Sequence, residues 1–234
     1  MQHHVTGGDP LDPVSAVAGR SRAASGVLQD LLERHPELGD VASDLARAYL
    51  AIARSQEQGG MLFLCGNGGS LADALHISGE LCKSYAHPRP LPEVHRVRLA
   101  RERNGEVLAA NLERGLRVVV LGLNMALATA VNNDFAARDM GFAQELYALA
   151  RPGDVLLAIS TSGKAVNVGN AVSVARALDL TTIGLTGPLG GPLAAQVDVA
   201  IRAPGARTDR IQEAHILLYH ALCEMLEVDL FSVR

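Results

Sequence analysis

The chain has 234 residues, 48% of them apolar and 20% charged, a balance that suits a folded globular domain and excludes intrinsic disorder as its general state. With 21 basic and 25 acidic residues the formal charge is −4, and aromatics are only 3% with no Trp; neither a basic footprint nor stacking platforms for a nucleic-acid partner are expected. The longest apolar runs, such as Val118 to Leu123 and Val155 to Ile159, are too short to span a bilayer.

The start, MQHHVTGGDPLDP, lacks the basic and then apolar regions of a secretory signal, so a cytoplasmic protein with no membrane partner is expected. Residues 1–12, rich in Gly, Pro and Asp, read as a flexible leader. Over 13–58 apolar residues recur at helical spacing in two runs, Val14 to about His35 and Val41 to about Gln58, separated by Pro36 and Gly39. This predicts a helical hairpin, which either packs on the following domain or joins copies from other subunits, with an oligomer expected.

From 59 to 234 short apolar strands alternate with helical stretches, the pattern of an α/β fold with a doubly wound, five-stranded parallel sheet flanked by helices. Strands are expected near 61–65, 118–122, 154–159, 181–185 and 197–202, and helices near 70–84, 125–132, 137–150, 165–178 and 208–227. The segment near 87–117, rich in Pro, Arg and Glu, is longer than a usual connection and reads as an insertion or lid. Three scattered cysteines, Cys65, Cys82 and Cys223, form no CxxC pair and read as reduced thiols.

Two turns carry the first chemical signal. In LFLCGNGGSLADALHISGELCKSY an apolar strand runs into Gly66, Asn67, Gly68, Gly69 and Ser70 and then a helix. Glycines allow close approach of a ligand to the backbone, and the helix start offers unpaired N–H groups to an anion; a bare glycine turn gives the same pattern without a ligand. In ISTSGKAVN the residues Ser160, Thr161, Ser162, Gly163 and Lys164 again stand between strand and helix, either as a phosphate cradle or as helix caps. A doubly wound sheet brings both turns to one crevice.

The second signal is a pair of helices bearing acid/base groups. His76 and Glu80 are four residues apart and share a helix face, and Gln212 and His220 share a broad face of the last helix, with His215 nearby. Standing alone, His-x-x-x-Glu is a solvated pair; after a phosphate turn, the same carboxylate and imidazole can move a proton between adjacent sugar carbons. His215 reads as a core histidine bonded to backbone. Asp134 either caps the following helix or meets a substrate.

GNGGSLADALHISGEL, ISTSG and RIQEAHILLYH, in that order after a helical hairpin, resemble the sugar isomerase (SIS) domain family, in its phosphoheptose isomerase branch. The resemblance covers nearly the whole chain outside 87–117. It implies a homotetramer with active sites between subunits, and aldose-ketose isomerisation of sedoheptulose 7-phosphate to a glycero-manno-heptose 7-phosphate through an enediol. It further implies Glu80 as general base and His220 as its acid/base partner, with His76, Glu80, Gln212 and His220 as a zinc-binding set. Asn67, Gly68, Gly69 and Ser70 then belong to the sugar and phosphate contacts, Ser160, Thr161 and Ser162 to the phosphate cradle, and Asn124, Asp134, Lys164 and Gln212 to the substrate surroundings.

The chain also departs from the family pattern. Lys164 and Ala165 stand where Asn-Ser is usual, Asn124 and Ala126 where an Asp and a Ser are usual, and Ser84 where a basic residue is usual, with Lys83 beside it. These changes bear on substrate identity more than on reaction type. Two alternatives follow: the same chemistry on another phosphosugar, or a non-catalytic SIS regulator or assembly factor.

Overall fold

The computed structural model describes residues 12–231; the expected leader lies outside them apart from Asp12. The first helical run is two helices, α1 (Pro13–Arg20) and α2 (Arg22–Arg34). Ser21 causes the break: its backbone is extended, at φ −148°, and its hydroxyl accepts the Ala24 N–H, capping α2. A 3-10 turn (Pro36–Val41) leads into α3 (Ala42–Glu57). The apolar face of these helices is covered within the chain. Val17, Leu28, Leu31, Tyr49 and Ile52 are buried in one core with Leu218, Leu222 and Met225 of the last helix, so the hairpin packs on its own domain.

Strand β1 (Leu62–Gly66) leads into α4 (Gly69–Cys82). Then come the short helices α5 (Glu93–Leu99) and α6 (Gly105–Asn111), strand β2 (Val118–Val120) and the helices α7 (Met125–Asp134) and α8 (Gly141–Leu149). The remainder is β3 (Val155–Ser160), α9 (Val166–Ala177), β4 (Thr181–Thr186), the single turn α10 (Gly191–Ala194), β5 (Val199–Arg202) and α11 (Thr208–Leu230). The continuous apolar runs of β1 and β3 are buried along their whole length, as strands covered on both faces must be.

The five strands are parallel, in the order β2-β1-β3-β4-β5. One face packs on α3, α4 and α11, and the other carries a second core in which Phe63, Leu156 and Ala158 meet Phe142, Leu146, Val168 and Val172. Chain direction across the sheet reverses between β1 and β3, so the turns that follow them open at a topological switch point, where ligands bind in such sheets.

The segment near 87–117 is not loose chain. α5 and α6 fill it, and a bridge between Pro90 and Glu113 ties its ends together.

His215 belongs to the core. It is fully buried, with Nε2 3.1 Å from the Thr186 carbonyl oxygen, and burial pushes its pKa down to about 4. The unfolded chain takes up a proton near pH 6.5 that the folded chain refuses until pH falls much further, so folding loses free energy as pH drops through this window. With the folded value at about 4, the expected loss from this group between about pH 7 and 5 is about 2 kcal/mol. Urea unfolding of wild type and His215→Gln at both pH values checks this: the variant's stability should change less across the window by that amount.

Candidate active site

The two turns at the switch point meet. Asn67 Nδ2 donates to Asn167 Oδ1 and Asn167 Nδ2 donates to Asn67 Oδ1, both at 2.8 Å, while Asn167 Oδ1 also accepts the Val168 N–H at 3.0 Å. Asn67 of the first turn is thereby clamped to the start of α9. Gly68 takes φ +55°, and a Cβ at Gly66 would lie 2.7 Å from the Ser70 carbonyl oxygen, so both positions demand glycine. Ser70 is buried beneath the turn. Gln212 arrives from α11: a Cβ on Gly69 would stand 2.1 Å from its Nε2.

On the other side, Ser160 is buried at the end of β3 and the Lys164 N–H donates to Ser162 Oγ at 3.3 Å. Gly163, at φ +63°, lets this turn press on Gly190, whose carbonyl oxygen would be 1.9 Å from an added Cβ. Thr161, Ser162 and Lys164 line a cleft of about 430 Å³ completed by Leu189, Arg207 and Thr208. Arg207 and Arg210 oppose the α11 dipole, and local carboxylates offset them: Arg207 pairs with Asp209 at 2.6 Å and Arg210 with Glu213 at 2.7 Å.

The acid/base groups gather where α4 passes α11. His76 Nε2 lies 3.2 Å from Glu80 Oε1 and 3.4 Å from His220 Nε2, while Glu80 Oε2 is 3.4 Å from Lys83 Nζ. The His76 and His220 rings meet edge to face at 4.9 Å, and Tyr85 stacks on His220 at 5.6 Å. Burial, and then the neighbouring His76, lower the His220 pKa, which keeps this imidazole neutral near pH 7. Two imidazole nitrogens and a carboxylate oxygen at such separations cannot all present bare lone pairs; a proton or another cation must sit among them. They do not close into a finished metal cage: among the described residues no group of three or more His, Cys, Asp and Glu is arranged to hold an ion.

Asn124 and Asp134 lie at opposite ends of α7. Asn124 caps that helix, its Oδ1 accepting the Leu127 N–H at 3.1 Å. Asp134 is the last α7 residue, exposed, with the Asn133 amide donating to it at 2.8 Å, so it does not cap the next helix. Four residues that bear on the site were not singled out from the sequence: Asn167, Asp73, Tyr85 and Tyr219. Asp73 alone had a local signal, one helical turn ahead of His76 on the same face.

Residues 110–187 match the SIS domain. A phosphoheptose isomerase of Rhodospirillum rubrum is 38% identical over 83% of this chain and 90% of its own length, and one of Methylibium petroleiphilum is 36% identical over 88% and 97%. The chain belongs to the phosphoheptose isomerase family. Among solved structures, a phosphoheptose isomerase from Neisseria gonorrhoeae superposes with a TM-score of 0.64 at 32% identity, covering 91% of this chain and 97% of that one. Another from Francisella tularensis gives 0.65 at 28% identity over 85% and 95%. Family membership thus extends well beyond the SIS match, to the N-terminal helices and to α11 with its half of the acid/base cluster.

Proposed function

We propose that this protein is an aldose-ketose isomerase that converts sedoheptulose 7-phosphate to a glycero-manno-heptose 7-phosphate. The observation that carries the reading is the convergence of Glu80, His76 and His220 on two helices that also reach the glycine turn, α4 by following it and α11 by setting Gln212 against Gly69, in a chain of this family. The phosphate sits in the cleft of Thr161, Ser162 and Lys164, near Arg207, where hydroxyl and cationic side chains can meet it. Ser160 belongs to the same phosphate cradle, while Asn67, Gly68, Gly69, Ser70 and Gln212 hold the sugar chain, with Asn124 and Asp134 in its surroundings.

In the reaction, the Glu80 carboxylate takes the proton from C1 of the ketose as His220 delivers one to the C2 carbonyl oxygen, giving the enediol. Glu80 then returns a proton to C2 while the O1 hydroxyl proton leaves to His220, and the C1 aldehyde forms. Glu80, His76 and His220, which lie 3.2 and 3.4 Å apart in turn, would hold a zinc ion together with the Gln212 carbonyl, since nitrogen and oxygen donors suit it. When bound, zinc would polarise the substrate carbonyl.

The reading includes a homotetramer with sites between subunits. Leu75 on α4 and Ile216 on α11, exposed at 44% and 36% on the helices that carry the acid/base cluster, are apolar side chains that another copy would cover in such an assembly. A cytoplasmic setting goes with the three free cysteines.

The test is proton NMR of purified protein with sedoheptulose 7-phosphate in deuterated water, with and without zinc. New aldose signals together with deuterium entry beside the carbonyl are expected. Exchange without product would move the reading to another phosphosugar, and neither signal from a protein that still binds the sugar would end it in favour of a binding module.

A further inference from the structure

The first turn offers a ligand one exposed side chain. Gly66, Gly68 and Gly69 have none, Ser70 is 5% exposed, and Asn67 lies at the surface, its own carbonyl oxygen accepting the Ser70 N–H at 3.0 Å. An amide side chain has a donating end and an accepting end of nearly the same shape. A sugar hydroxyl can answer either end, whereas a carbonyl or phosphoryl oxygen can answer only the N–H. Which way the Asn67 amide faces therefore decides where an acceptor-only oxygen of a ligand can lie.

That orientation is set from α9. Val168 is the third residue of the helix, so its N–H is one of the first-turn donors with no carbonyl one turn back. A backbone N–H can only donate, so the Asn167 atom 3.0 Å from it is the side-chain oxygen. This fixes the Asn167 amide, and the reciprocal pair at 2.8 Å then fixes Asn67: its nitrogen must face the Asn167 oxygen, and its oxygen the Asn167 nitrogen. Turning Asn67 over would set N–H against N–H and oxygen against oxygen, exchanging two hydrogen bonds for two repulsions. The pair leaves Asn67 one N–H and one lone pair that no described residue takes.

We infer that Asn167 is a positioning residue that locks the Asn67 amide in one orientation, and so decides which end of it donates to a ligand in the crevice. The lock also spans the crevice. Asn67 follows β1, and Asn167 stands in the first turn of the helix behind the Ser160–Lys164 turn, so the two ligand-facing turns are tied at a fixed spacing before anything binds. The consequence for turnover rests on the proposed isomerase function, in which Asn67 holds the sugar chain; the lock itself does not.

Asn167→Asp separates positioning from plain capping. Aspartate still accepts the Val168 N–H, and a negative charge suits the start of a helix, so the melting temperature should hold. It presents two oxygens to Asn67, however, which then gains one hydrogen bond and one repulsion in either orientation, and the choice is lost. With sedoheptulose 7-phosphate, kcat/KM should fall about 10- to 100-fold, the scale of a misplaced contact, and Asn167→Ala should show a loss of the same order without the added charge. In an Asn67→Ala background neither substitution should lower kcat/KM by more than about twofold further, because Asn167 acts only through Asn67. Losses that multiply, or an Asn167→Asp enzyme as active as wild type, overturn the inference. Proton–nitrogen spectra of the side-chain amides read the lock without turnover: each amide should hold one slowly exchanging proton, that of Asn67 released by Asn167→Ala and that of Asn167 by Asn67→Ala. Amides that exchange freely in the wild type also overturn it. Paired amides in a protein without isomerase activity would leave the lock standing and remove the functional reading; an active enzyme indifferent to both Asn167 substitutions would do the reverse.

Discussion

Glu80→Gln should lower kcat by about two to four orders of magnitude, the usual contribution of a positioned general base, while leaving sugar binding and melting temperature close to wild type. The substitution keeps the shape and one hydrogen-bonding oxygen, so the contacts to His76 and Lys83 survive in part. What it removes is the capacity to take a proton from carbon. Glu80 is held by an exposed lysine and a half-exposed histidine, with no role in the hydrophobic core, so the fold has little to lose. The deuterium assay separates this from a binding defect: exchange at the carbon beside the carbonyl should disappear with turnover. His220→Gln should show a loss of its own, and the double variant should be about as slow as the worse single one, because an acid and a base that work in the same step act as a unit. A Glu80→Gln enzyme within tenfold of wild-type kcat would mean that another group is the base.

The layered fold was legible because β1 and β3 are unbroken apolar runs, which parallel strands buried on both faces require, and each runs into a glycine-bearing turn and a helix. His76 and Glu80 were legible because helical spacing alone places them together. The contacts that organise the site were not. Tyr219 meets His76 across 143 positions and Asn67 meets Asn167 across 100, and no local pattern encodes such a pairing. The break at Ser21 was hidden inside an apolar period that continues across it, although Ser is a cap residue and Ala24 supplies the N–H it accepts. The helices of the 87–117 segment were missed for a different reason: each has only seven residues, and none of the α5 residues is buried. Two turns of amphipathic sequence among prolines and arginines carry too weak a period to read.

That segment is fastened by the most consequential ion pair of the molecule, and Glu227→Gln should cost about 3–5 kcal/mol of stability. Glu227, 1% exposed, accepts the N–H groups of Tyr85, Ala86 and His87 at 2.7, 2.7 and 2.9 Å, and Arg89 Nε at 2.6 Å. Arg89, fully buried, spends its remaining nitrogens on the carbonyl oxygens of Leu81 and Glu80 at the end of α4 and lies over the Phe231 ring. Removing the negative charge leaves a guanidinium buried without its counter-ion, which is the expensive way to break such a pair. At about 2–4 °C per kcal/mol for a chain of this size, calorimetry should record a fall near 10 °C. Burial alone would raise the Glu227 carboxyl, but the Tyr85 and Ala86 N–H groups and Arg89 outweigh it and hold the pKa below the ordinary carboxylate range. Its stabilisation is therefore complete above the unfolded value of about 4.3 and is lost as pH falls through the lower folded value, so the gap between wild type and variant should narrow in acid. Because the same pair fixes Tyr85 against His220 and the backbone of Glu80, the variant should also lose kcat at temperatures where it remains folded. A variant that melts like wild type would show that the 85–89 turn is held by its packing alone.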